Sequence, residues 1–240
     1  MLKLLCWLEK DFNGEAAMKK IVLIGGGGHC KVIIDLLKEI NGYQIVGITE
    51  KNSAKKQVLG IPVLGDDLIL EELYNKGVNY AFITLGVIDN LLQRKVLFEK
   101  VKALGFQFPV LIHPAATVAQ SAHIGAGTCL LAGAVVNAAA KIGENVIVNT
   151  GAIIEHDCIV GSNVQIAPGA ILAGQVEVKD NSFIGMGCKI IQGVVIGENS
   201  IIGAGSVVTK SIPANSVAYG VPAVIKRKNR LAMREVDFCV

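Results

Sequence analysis

The chain has 240 residues, a formal net charge of +3, 52% hydrophobic and only 5% aromatic residues. That length supports one large or two modest domains with real cores, and an apolar content made of Ile, Val, Leu and Ala suits stacked strands rather than an aromatic-cored fold. With few aromatics, no long basic stripe and no apolar run of membrane-spanning length, neither nucleic acid nor a lipid bilayer is the expected partner.

In chain order, residues 1–17 ("MLKLLCWLEKDFNGEAA") have no proper apolar core or cleavage pattern and do not read as a signal peptide. Met18 stands directly before a first strand, so this stretch is expected to lie outside the core as an N-terminal extension. From residue 18 to 112 strand and helix patterns alternate. "KKIVLIGG" reads as a buried strand running into glycines. "HCKVIIDLLKEING" places Val32, Ile33, Leu36, Leu37 and Ile40 at helical spacing and stops at Asn41-Gly42. "YQIVGIT" is a second strand, "DDLILEELYNKG" a helix, "NYAFITLG" a strand, "NLLQRKVLFEKVKALG" a helix and "FPVLIH" a last strand. Such alternation implies a small Rossmann-like parallel α/β sheet.

Beyond Val118 the pattern changes to a period of six. Every sixth residue from Val118 to Val208 is Ile, Leu or Val, and the position four residues after each is mostly small: Ala122, Thr128, Ala134, Ala140, Val146, Ala152, Cys158. A six-residue period is neither helical nor a two-residue alternation. It describes a coil of short strands joined by tight corners, with the aliphatic residue inside and stability gained collectively by stacking. A C-terminal tail follows from residue 224, and its "KRKNR" run reads as a solvated end. The six cysteines (6, 30, 129, 158, 188 and 239) form no C-x-x-C pair and are expected as reduced thiols of a cytoplasmic protein. The three in the repeat, Cys129, Cys158 and Cys188, are expected to point inward as small hydrophobes.

Two stretches carry chemistry. "GGGGHC" (Gly25 to Cys30) follows a strand and opens a helix, where backbone N–H groups cradle phosphate. A dinucleotide fingerprint begun at Gly25 would need glycine at 30, and Cys30 argues against NAD. In "NTGAIIEHDCIVG" the hexad frame turns Ile154 and Cys158 inward and leaves Glu155, His156 and Asp157 on an outward corner.

"IGGGGH", "GIPVLGD", the hexad coil with "NTGAIIEHDCIVG" and a closing "AYGVPA" together resemble the NeuD/PglD-type family. Its members are sialic acid O-acetyltransferases and UDP-4-amino-sugar N-acetyltransferases. The resemblance runs from about Met18 to Ala223. It implies an α/β domain over 18–112 that binds the sugar nucleotide, and a left-handed parallel β-helix over 113–223. It also implies a homotrimer, acetyl-CoA as co-substrate and no metal. On that resemblance His156 is the general base and Asp157 its orienting acid. Gly27, Gly28, His29, Thr49, Glu50 and Gly86 take the UDP-sugar, and Gln165, Met186 and Ala204 take acetyl-CoA. Two positions depart from the family pattern: Gln165 stands where many relatives carry a second histidine, and Thr49 replaces an acid. The side chains fit this chemistry. An imidazole with an ordinary pKa of about 6.5 accepts a proton near neutrality, and a carboxylate beside it fixes its tautomer. A glutamine amide at 165 can donate to a thioester carbonyl but cannot carry a proton. His113 and His123 read as structural. With only His123 and His156 in the repeat, a three-histidine zinc site is not expected. The leading expectation is N-acetylation of a nucleotide-activated amino sugar in polysaccharide biosynthesis. The alternatives are O-acetylation of a sialic acid and a non-catalytic sugar-nucleotide-binding subunit.

Overall fold

A computed structural model describes residues 18–51, 55–86 and 91–229. The expected extension over 1–17 and the last eleven residues of the expected tail fall outside them. The α/β unit comprises β1 (Lys19–Ile24), α1 (Gly28–Ile40), β2 (Tyr43–Thr49), β3 (Gln57–Val58), β4 (Ile61–Gly65), α2 (Leu70–Asn75), β5 (Tyr80–Ile83) and α3 (Leu91–Ala103). The sheet order is β3-β4-β2-β1-β5. All neighbours are parallel except the β3–β4 hairpin, which the strand–helix alternation does not reveal. β1 is an interior strand between β2 and β5, and Ile21 to Ile24 are sealed on both faces, which explains a strand without alternation. On α1 the buried stripe is Cys30, Ile33, Ile34 and Leu37, an i, i+3, i+4, i+7 set, whereas Val32 is 43% exposed and outside it.

"FPVLIH" does not join this sheet. Its Leu111–Ile112 segment pairs in parallel with Cys129–Leu130 and starts the coil instead. From there two-residue strands recur every six residues to Val207–Val208, each paired in parallel with the strand eighteen residues on. The result is a left-handed parallel β-helix with three faces. The first face begins at Leu111–Ile112, the second at Thr117–Val118 and the third at His123–Ile124. The inward residues form one continuous core from Leu130 to Val208, including Ile154, Cys158, Ile166 and Cys188. Full burial of each Ile or Leu is worth roughly 1.5–3 kcal/mol. Corners close through left-handed residues: glycines such as Gly151 and Gly169, and Asn145, Asp157, Asn163 and Asn181 with φ between 54° and 59°. Asn and Asp tolerate that region better than other side chains. Asn145 Nδ2 donates to Asn163 Oδ1 at 2.8 Å, tying one coil corner to the next.

Cys158 and Cys188 point inward as expected, but Cys129 does not. It faces out of the first face into the junction with the α/β unit, fully buried with Leu111, Leu131 and Ile147 against Cys30, Ile33 and Leu37 of α1. An inward neighbour, Leu130, fills the coil at that step, and strand alternation sends Cys129 the other way. The expected tail also begins differently. Ala223–Lys228 is an exposed strand antiparallel to Ser216–Gly220, which extends the first face, so the basic run belongs in part to a hairpin. Among the described residues no helix is long and apolar enough to cross a membrane.

Candidate active site

His156 and Asp157 sit on the edge between the second and third faces, after the strand Ile153–Ile154. Ile154 and Cys158 are fully buried and pin the corner from inside, while the two polar side chains are about half exposed. Asp157 has φ 59°, so the carboxylate at this corner is also its left-handed turn residue. Its backbone N–H donates to Ala138 O, and His156 O accepts from Gln175 N, which fixes the corner to the coils on either side. Asp157 Oδ2 lies 2.8 Å from His156 Nδ1. A carboxylate there holds the proton on Nδ1 and leaves Nε2 as the basic nitrogen. The ring lies over Gly174, three hexads further on. A Cβ at Gly174 would stand 2.6 Å from both Cε1 and Nε2 of His156. Only glycine leaves the ring where Asp157 holds it. The hexad register marked this position; its meaning needed the direction of the ring.

The second cluster lies where β1 meets α1. Gly25 takes φ +103°, and Gly27 caps α1 with no side chain across its first amides. A Cβ at Gly27 or Gly28 would meet nothing within 4 Å, so the helix N-terminus is open as an anion site. Glu50, at the end of β2, accepts the Gly26 N–H at 2.8 Å, so one loop amide is already taken by a carboxylate. Lys55 Nζ donates to Gly26 O at 3.0 Å. Gly86 packs against His29, where a Cβ would approach His29 Cβ to 3.2 Å. Thr49 is placed differently from the expectation. It is fully buried, and its hydroxyl donates to Asp67 Oδ1 at 2.7 Å, bracing the strand end instead of facing a ligand. His29 is partly buried, with its pKa lowered to about 3 by burial first and then by the Arg94 guanidinium. Sequence reasoning missed Lys55, which lies in a stretch with no pattern. It also missed Arg94, whose spacing to the buried Phe98 and Val101 on α3 (i, i+4, i+7) puts a charge on an apolar stripe.

The expected acetyl-CoA residues divide. Met186 and Ala204 stand eighteen residues apart on the edge between the first and second faces, with Met186 59% exposed and Gly205 N donating to its carbonyl. Gln165 lies on the first face between Ile147 and Phe183; it is buried, with Oε1 lacking a partner. That face is opposite the edge that carries His156, and it is also the face on which the α/β unit docks. Within one chain, therefore, His156 is not brought to Gln165 or to the glycine loop. His113 Nδ1 accepts from Ala115 N at 3.0 Å and His123 is an exposed strand residue; neither joins these clusters.

Comparison with known proteins places both halves. Residues 20–101 match the PglD N-terminal domain, and residues 139–174 and 175–210 match the bacterial transferase hexapeptide (six repeats). The crystal structure of PerB from Caulobacter crescentus in complex with CoA and GDP-perosamine is 40% identical, with a TM-score of 0.82 over 88% of this chain and 99% of that one. The acetyltransferase domain of PglB from Neisseria gonorrhoeae FA1090, in complex with acetyl coenzyme A, is 36% identical with a TM-score of 0.80 over 88% of this chain and all of that one. The UDP-N-acetylbacillosamine N-acetyltransferase of Bacillus subtilis (strain 168) is 36% identical over 115 residues. That match spans 48% of this chain and about half (52%) of the relative's length.

Proposed function

Because the chain belongs to the NeuD/PglD-type hexapeptide-repeat sugar acetyltransferases, we propose that it transfers the acetyl group of acetyl-CoA to the amino group of a nucleotide-activated amino sugar. The observation that carries this reading is the His156–Asp157 pair, held at 2.8 Å on an outward edge of an acyltransferase coil. An amine that attacks a thioester must shed a proton as its nitrogen bonds to the acyl carbon. His156 Nε2 takes that proton as the C–N bond forms, and Asp157 stabilises the imidazolium. Collapse of the tetrahedral intermediate breaks the C–S bond, and the proton on His156 leaves with the CoA thiol.

Gly27, Gly28 and His29 hold the phosphates of the sugar nucleotide at the open N-terminus of α1, with Glu50 and Gly86 shaping the pocket. Met186 and Ala204 line the acetyl-CoA groove along their shared edge, and Gln165 offers its amide to the thioester oxygen. The working unit is a homotrimer. One chain keeps its base and its glycine loop on opposite sides of the coil, and the outward residues of the second face, Val135, Ile153 and Ile171, form a half-exposed aliphatic row that a neighbour would cover. We place the reaction in the cytoplasm, where acetyl-CoA and sugar nucleotides are made; the four described cysteines are free thiols.

The test is release of CoA thiol from acetyl-CoA with a panel of UDP- and GDP-linked 4-amino sugars and sialic acid. Release with an amino-sugar nucleotide is the expected result, and His156→Ala should lose about 10²–10⁴-fold in rate while staying folded. Release with sialic acid alone would make the protein an O-acetyltransferase. No release with any acceptor, despite tight nucleotide binding, would make it a binding subunit.

A further inference from the structure

Arg94, on α3, lies close enough to His29 in the first turn of α1 and to Cys129 on the first face of the coil to act on both electrostatically. It is 1% exposed, and Nε, Nη1 and Nη2 are all buried without a hydrogen-bond partner. Among the described residues no carboxylate lies within ion-pair reach of it. The polar side chains it acts on among the described residues, His29 and Cys129, cannot supply negative charge. His29 is a neutral imidazole, and the Cys129 thiol, 4.0 Å from His29 Nε2, has its pKa pushed up to about 12 by burial and stays protonated. Arg94 itself is lowered only to about 10 by burial, so it carries a full positive charge at neutral pH. A buried, unpaired guanidinium is strongly unfavourable unless something bound nearby compensates it. The open amides of Gly27 and Gly28 directly precede His29 at the start of α1.

We propose that Arg94 is the buried countercharge for the diphosphate of the sugar nucleotide, acting across the low-dielectric junction on an anion held at the N-terminus of α1. The inference rests on the sugar-nucleotide reading above and adds a positioning residue that touches neither the reacting atoms nor acetyl-CoA. Charge acting through protein is attenuated far less than charge acting through water, so the guanidinium favours the diphosphate without reaching it. Helix amides and a cation then act on one anion together. Lys55, exposed on the β2–β3 connection and bonded to the Gly26 carbonyl, is the rival source of positive charge.

The experiment is a calorimetric titration of the full chain with uridine, UDP, guanosine and GDP, comparing wild type with Arg94→Met and Arg94→Lys. Arg94→Met should weaken the diphosphate roughly tenfold or more while leaving the matching nucleoside unchanged, and Arg94→Lys should keep most of the affinity. In turnover, KM for the sugar nucleotide should rise and KM for acetyl-CoA should not. The wild type gives a second measurement should Arg94→Met fail to fold. The advantage of diphosphate over nucleoside should persist in 0.5 M salt, because about 4–5 Å of screening length reaches exposed charges and not buried ones. Equal loss for nucleoside and diphosphate, no loss at all, or an advantage erased by salt would each overturn the assignment. A wild type that binds diphosphate while Arg94→Met binds it equally well defeats the anchor alone. A wild type that binds neither nucleotide defeats the sugar-nucleotide reading and the anchor with it.

Discussion

On the proposed mechanism Asp157 performs two tasks that pull apart under substitution. As a left-handed corner residue it can be replaced by Asn without strain, but an asparagine amide beside Nδ1 can donate to it and place the proton on Nε2. Asp157→Asn should keep its melting temperature and lose on the order of 10²-fold or more in kcat. Asp157→Ala should lose rate and also about 1 kcal/mol or more of stability, read by thermal denaturation. Gly174 is the complementary case. Its backbone would accept alanine, but the added methyl meets the imidazole, so Gly174→Ala should leave the fold intact and depress kcat by displacing the ring. His29 sets a pH dependence of stability. Its folded pKa of about 3 lies below the ordinary value near 6.5. Above pH 6.5 folded and unfolded chains are both neutral there. As pH falls through 6.5 the unfolded chain gains a proton that the folded one refuses until about 3, so stability falls on acidification. The slope is up to about 1.4 kcal/mol per pH unit. Denaturant midpoints between pH 7.5 and 5 should show this, and His29→Gln should flatten the curve.

Element by element, what the sequence disclosed depended on how periodic the element is. The hexad frame fixed the inward residues from Leu130 to Val208, because a coil that stacks on itself repeats one steric demand at every step. An Ile154→Ala change, at a site with no exposure, should cost about 2–5 kcal/mol. The same frame placed His156 and Asp157 outside, but their partnership with Gly174 involves ring orientation, which no period encodes. Where pattern is short, the sequence was ambiguous. Leu111–Ile112 is two aliphatic residues that fit either sheet, and pairing with Cys129–Leu130 decides it. Lys55 lies in a polar stretch without alternation, and the β3–β4 hairpin (residues 57–65, "QVLGIPVLG") is an apolar run too short to show a period. Cys129 is expected inside the coil and Thr49 at the sugar nucleotide, because no pattern encodes which side of a strand the neighbouring element covers.

At the scale of the whole molecule, the separation of the clusters is the main fact. The first face carries Gln165 and the docked α/β unit with its glycine loop, the opposite edge carries His156, and on the proposed mechanism a single chain is therefore an incomplete catalyst. Replacing Ile153 by Glu, in the half-exposed row of the second face, should shift the protein towards monomer in sedimentation and lower its activity together with the assembly. Lys102 and Glu144, 2.9 Å apart and both about half exposed, tie α3 to the coil, but such a surface pair is worth little, and its removal should barely move the melting temperature. The eighteen-residue repeat has a further effect. Because each strand sits one parallel spacing above its predecessor, height along the coil comes in steps of about 4.8 Å, and no finer adjustment exists. The coil thus works as a graduated ruler, with the α/β unit at its zero mark and His156, the proposed base, on a fixed rung. Duplicating one complete turn between residues 113 and 136 would leave every corner and every inward contact satisfied, yet lift His156 one rung out of reach of a sugar whose nucleotide is still held at the first turns. A chain altered in that way should fold, assemble and bind both substrates, and transfer nothing.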